Sequence, residues 1–188
     1  MSGADGDMLR RAQEGDMEAF AALFEPLRAS VFRTAAGVIG VQDAEDATME
    51  TYLRAWQALP RFGGRSSLKT WLHRIAFNCA MDLARERRRR PWTAPGENGE
   101  DDALEQMPDT RQDAPDRAAA RADDIRAVQS ALARLPPEHR HALHLRYAEG
   151  FAYGEIATAA GVSVGTVMSR LFYGKLKLKQ ELSARSPS

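Results

Sequence analysis

The stretch PWTAPGENGEDDALEQMPDTRQDAPD, Pro91 to Asp116, constrains this chain more than any other. It combines proline, glycine and eight acidic residues with one arginine and has almost no periodic apolar positions. A segment of that kind cannot bury enough apolar surface to offset the entropy of ordering it. It reads as a flexible acidic linker over 91–116. The 188-residue chain then divides into two blocks, 1–90 and 117–188, each long enough for a modest core of its own. The formal net charge of zero conceals the same division, since the three stretches carry +2, −7 and +5 in order.

Other classes are disfavoured early. No apolar run approaches the roughly 18 residues of a membrane span, and MSGADGDML has neither the basic nor the apolar part of a secretory signal. The expectation is a cytoplasmic protein with no membrane association. Cys79 is the only cysteine, which leaves no disulfide framework or zinc cluster and reads as a small buried hydrophobe. No cofactor or metal is expected. Asp43, Glu45, Asp46 and Glu50 lack a nearby histidine or second acidic cluster to complete a metal site. His139, His141 and His144 do not share one helix face.

Both flanking blocks are helical by period, with no strand alternation to compete. The first predicts helices over Asp5–Glu14, Asp16–Val38, Asp43–Leu59 and Ser67–Arg88, broken at Gly15, Gly40 and PRFGGRSS. Asp16 and Ser67 are candidate caps, and Pro26 should interrupt the second helix. The apolar stripes run Phe20, Leu23, Phe24, Leu27, Val31; then Ala47, Thr51, Tyr52, Ala55, Trp56, Leu59; then Leu68, Trp71, Leu72, Ile75, Cys79, Leu83. Trp71 lies on its stripe and reads as core.

The second block predicts helices over Asp123–Leu135 and Glu138–Ala148, stopped by Pro136, Pro137 and Gly150. A short pair follows. Tyr153–Ala160 faces Ile156, Ala157 and Ala160 inward, Gly161 turns, and Ser163 caps a helix with an inward stripe of Val164, Val167, Leu171, Gly174 and Leu178. This is a helix-turn-helix, whose second helix commonly enters the DNA major groove; an ordinary helical hairpin in a core has the same local pattern.

DAEDATMETYLRAW (Asp43 to Trp56) and RFGGRSSLKTWLHRIAFNCAMD (Arg61 to Asp82) resemble region two of bacterial sigma factors of the extracytoplasmic-function group. LPPEHRHALHLRYAEGFAYGEIATAAGVSVGTVMSRL resembles their region four. The two matches stand in the family order. The resemblance implies an all-α protein of two small helical domains, region two over 1–90 and region four over 117–188. It further implies a subunit, not an enzyme, that binds core RNA polymerase, recognises promoter DNA and helps to melt it. The alternative is a stand-alone helix-turn-helix regulator, which would act as a dimer; a sigma factor would be a monomer when free. An anti-sigma factor is a usual partner in the family.

Residue roles follow from the matched motifs. Asp43, Asp46, Glu50 and Arg54 form the polar side of the third long helix, which in the family docks on polymerase. Minus-ten capture falls to Phe62 as a stacking face, Arg65 as a charge and Ser66 as a donor and acceptor, in a loop whose glycines admit a base. Unstacking that base costs a few kcal/mol. Lys69, Thr70, Arg74 and Asn78 follow about one turn apart to hold the strand. Minus-thirty-five contacts fall to Thr166, Met168, Ser169, Phe172 and Tyr173, with Arg170 and Lys175 on phosphates; this reading face is more apolar than is usual in the family. Met49 and Ala47 also depart from the family pattern, as does Ala152 at a position where serine usually caps.

Overall fold

Asp16 caps the eight-residue helix Met17–Phe24 by accepting from the Ala19 amide at 3.0 Å, and Pro26 follows two residues past its end. The computed structural model describes residues 3–89 and 125–184, all helix, turn and loop with no strand among them. In the N-terminal domain α1 spans Gly3–Gln13, α2 Met17–Phe24, α3 Arg28–Ile39, α4 Ala44–Ala58 and α5 Leu68–Arg89. Proline cannot donate to the preceding turn, so Glu25–Leu27 tightens into a 3-10 turn that separates α2 from α3. The expected interruption lies there. A second 3-10 turn, Leu59–Arg61, closes α4.

The expected stripes form the core. Phe20, Phe24, Val31, Ala55, Leu59, Leu72 and Ala76 are buried together, flanked by Tyr52, Trp56, Trp71 and Ile75. Each large side chain buried in this way contributes about 1.5–3 kcal/mol. Ala35, Ala36, Ala44, Ala47 and Ala80 form a second cluster, where small residues let α3, α4 and α5 approach closely. Thr48 and Thr51 are buried by donating to the Ala44 and Ala47 carbonyls. Cys79 is buried, and burial pushes its thiol upward, consistent with a packing role.

The C-terminal domain comprises α6 over 125–133, α7 Pro137–Tyr147, α8 Tyr153–Ala160 and α9 Val164–Ser183. Gly161 adopts the left-handed φ of +65° that the turn between α8 and α9 needs, and Ser163 caps α9 by accepting from the Thr166 amide. At the start of α8, Ala152 has no side-chain acceptor, but its N–H donates to Glu155 at 2.9 Å, which retains half of a capping box. Leu135, Leu143, Leu145, Phe151, Ile156, Val167 and Leu171 form the core. Val164, expected inward, is the first residue of α9 and is instead 45% exposed. The expected linker over 91–116 and the first residues of the helix expected from Asp123 lie outside the described residues.

The two domains pack directly on each other. α5 lies between α3 and α4 of its own bundle on one side and α8 on the other, and α3 meets α7. His73 lies against Phe151 and Phe77 against His141 across this contact, so both are buried in addition to the expected stripe of α5, as is Thr70.

Candidate nucleic-acid interface

The four residues expected to dock on polymerase separate into two groups. Asp43 is ion-paired to Arg87 of α5, and Arg54 joins Glu50 at 2.7 Å to Asp82 at 3.0 Å. These contacts tie α4 to α5, and the Asp82 and Glu50 carboxylates push the Arg54 guanidinium upward. Asp46 is exposed, as are Met49 and Leu53 one and two turns on, so the free face of α4 is part acidic and part apolar.

In the loop after α4, Phe62 is half-buried against Trp71, with centroids 5.0 Å apart, and its carbonyl accepts from Gln13 at 2.9 Å. The ring packs against the bundle and does not stand free in the loop. Arg65 is exposed next to Gly64, whose φ is +68°. Ser66 is half-buried, and Ser67 caps α5 by accepting from the Thr70 amide at 3.0 Å. Thr70 is 1% exposed, with its hydroxyl bonded to Ser67 at 2.8 Å. Arg74 and Asn78 are exposed on α5, and Lys69 is half-buried.

Burial of Lys69 comes from the C-terminal domain. Glu149, just past the end of α7, has a side chain only 4% exposed. One carboxylate oxygen accepts from Arg33 of α3 at 2.9 Å, and the other lies 3.0 Å from Lys69 Nζ, which also donates to the Glu149 carbonyl at 3.1 Å. His73 and His144 flank the carboxylate at 4.0 and 3.6 Å. Burial alone would raise the Glu149 carboxyl, but hydrogen bonds from Ser30, Arg33 and Lys69 outweigh it and hold it at about 2. Burial lowers His73 and His144 to about 4 against the pull of Glu149. Phe151 extends the contact, with Lys69 Nζ 5.0 Å from its ring centroid and His73 edge-on at 5.2 Å.

Sequence reasoning missed Glu149, Arg33, His73 and Phe151. A signal was present. A glutamate at a helix C-terminus opposes the helix dipole and is tolerated best beside cations.

On α9, Met168, Phe172, Tyr173 and Leu176 are 45–64% exposed, so the apolar outward face is a property of the folded domain. Arg170 is half-buried and Lys175 exposed, the latter with its Nζ 5.3 Å from the Tyr147 ring centroid. Thr166 and Ser169 are partly used within the helix: Thr166 bonds the Ser163 cap and Ser169 donates to the Thr166 carbonyl.

These are two helical domains, the second ending in a helix-turn-helix with an exposed reading helix. The family model described as Sigma-70 region 2 matches residues 23–90, and that described as Sigma-70, region 4 matches 125–178. The chain is 34% identical to the RNA polymerase sigma-H factor of Pseudomonas aeruginosa, over 95% of this chain and 93% of that one. It is 36% identical to the ECF RNA polymerase sigma factor SigC of Mycobacterium tuberculosis, over 85% and 81%. CnrH, solved in complex with the cytosolic domain of CnrY, matches at a TM-score of 0.68 and 25% identity, over 97% of this chain and 99% of that one. The chain belongs to the sigma-70 family of RNA polymerase sigma factors, in its extracytoplasmic-function group. Its function is promoter-specific transcription initiation, and the stand-alone regulator is not favoured. The family is one of regulatory, non-enzymatic proteins. Among the described residues no helix is long and apolar enough to cross a membrane.

Proposed function

We propose that this sigma factor binds core RNA polymerase through the exposed face of α4 around Asp46, with Glu50 contributing and Asp43 and Arg54 holding α4 on α5. Minus-ten DNA is then held along α5 by Lys69, Arg74 and Asn78, with Arg65 and Ser66 at the loop where melting is captured. Minus-thirty-five DNA is read by Met168, Ser169, Phe172 and Tyr173 of α9, with Arg170 and Lys175 on phosphates and Thr166 at the helix start. On this reading 1–90 is the docking and minus-ten unit, 91–116 a tether and 117–188 the minus-thirty-five unit, working in the cytoplasm as a monomer when free. An anti-sigma partner is proposed on the family pattern; CnrH, at 25% identity, was solved with a protein partner.

The observation that carries this reading is the placement of cations on α5 and an exposed reading face on α9, in two domains whose sequences match sigma regions in order. Run-off transcription with purified core polymerase, with and without this chain, tests it. The expected result is a discrete product that depends on the chain. Tight operator binding by an isolated dimer, with no chain-dependent transcript, would overturn it.

A further inference from the structure

The segment Glu149-Gly150-Phe151 presents a carboxylate and a planar ring, two residues apart, to one cation of α5. Gly150 makes this possible by taking φ +74°, which reverses the chain immediately after α7. Lys69 Nζ then meets the carboxylate at 3.0 Å and the Phe151 ring at 5.0 Å. An anion and a stacking face at that spacing are the two features by which a nucleotide in single-stranded DNA is held. Arg33 clamps the second carboxylate oxygen at 2.9 Å and so fixes the carboxylate against Lys69.

We propose that Glu149 and Phe151 act as an intramolecular nucleotide mimic, occupying Lys69 and steadied there by Arg33, so that the Lys69 end of the DNA-holding face of α5 is covered until the domains separate, while Arg74 and Asn78 stay exposed. The contact is a specific one. The side chain is almost fully buried, both carboxylate oxygens face cations, and the ring packs against His73. Separation would release Lys69 and Arg33 from α7 and expose Phe77, now stacked on His141. DNA and Glu149 would thus compete for one cation, and the affinity of the free chain for DNA falls by the fraction that is open.

The inference rests on the proposed role of Lys69, so the experiment separates the two. Glu149→Gln keeps the shape and removes the charge, and Arg33→Ala breaks the same contact from the other domain. Radius of gyration by small-angle scattering and binding of fluorescent short single-stranded DNA of random sequence are measured on the full chain. Expansion of both variants with binding tighter by about tenfold supports the mimic. Unchanged size and unchanged binding overturn it, as does expansion without any gain in binding. Lys69→Ala in holoenzyme locates the failure: if it impairs open-complex formation, the reading of Lys69 stands and the mimic alone is wrong. If it does not, the reading of Lys69 fails.

Discussion

The imidazole of His141 lies flat on the ring of Phe77, with centroids 3.9 Å apart and planes inclined by 3°, so α7 of one domain closes on α5 of the other. Both ring nitrogens of His141 are buried without a hydrogen-bond partner. An unsatisfied buried polar group costs about 1–3 kcal/mol. His141→Phe keeps the stack and removes that cost. The expected result is a higher urea midpoint at neutral pH with an unchanged circular dichroism spectrum; a lower midpoint would mean that the imidazole has a polar role.

Acid should weaken the fold through the same cluster. Burial drives His141 well below the ordinary 6.5, and His73 and His144 to about 4. The groups facing them are Ser30, Arg33 and Thr34 of α3, Lys69 of α5 and Glu149, with Arg170 of α9 acting on His141 and the three imidazoles on one another. A histidine kept neutral in the folded state takes up a proton more readily when unfolded. Its contribution is therefore intact above about 6.5 and is lost as pH falls from there towards about 4. Glu149, lowered to about 2, acts in the same direction only below its ordinary 4.5. Urea midpoints measured from neutral pH down to about 5 should fall steadily, and a flat profile would contradict the burial of these rings.

Gly174 sits where α9 crosses α7. A Cβ there would stand 3.2 Å from Leu143 Cδ1 and 3.5 Å from His139 Cβ. Gly174→Val overpacks this crossing, with an expected cost of about 1–3 kcal/mol, read as a lower Tm. The neighbouring exposed substitution Lys175→Ala is expected to leave Tm nearly unchanged.

Asp46 and Glu50 lie on the free side of α4. Changing both to Lys loses the half-exposed Glu50–Arg54 pair, worth about 0.3–0.5 kcal/mol, and leaves the bundle folded. Co-purification with core polymerase should nevertheless be lost. Wild-type yield would place the docking surface elsewhere.

Met168→Arg puts a bidentate donor on the apolar face of α9. Binding to the upstream element should tighten and shift towards guanine at one position, by about 1–3 kcal/mol of discrimination. Selection from a randomised upstream element reads this directly; an unchanged consensus would show that Met168 does not face bases.

The fold was legible because local signals agree with packing. Asp16, Ser67, Ser163 and Gly161 mark helix boundaries by chemistry that acts within a few residues, and the apolar stripes are periodic enough to identify Leu59, Leu72 and Leu171 as core. The burial of Phe62 and Thr70 is not legible, because a loop position and a helix face do not show what covers them. Trp71 covers Phe62, and the Ser67 hydroxyl takes up that of Thr70. The contact between Glu149 and Lys69 spans 80 positions and depends on how two domains dock, which no periodicity encodes.

Because Glu149 and Lys69 belong to one polypeptide, their meeting is a first-order event. Dilution does not undo it, and neither does making more of the protein, since every copy carries its own competitor in fixed one-to-one proportion. Partners within a chain meet at effective concentrations that reach about millimolar. A weak DNA ligand in trans therefore competes poorly at any dose of the protein. A partner that grips both domains at once escapes this limit, because it draws on surfaces that the pair of residues does not touch.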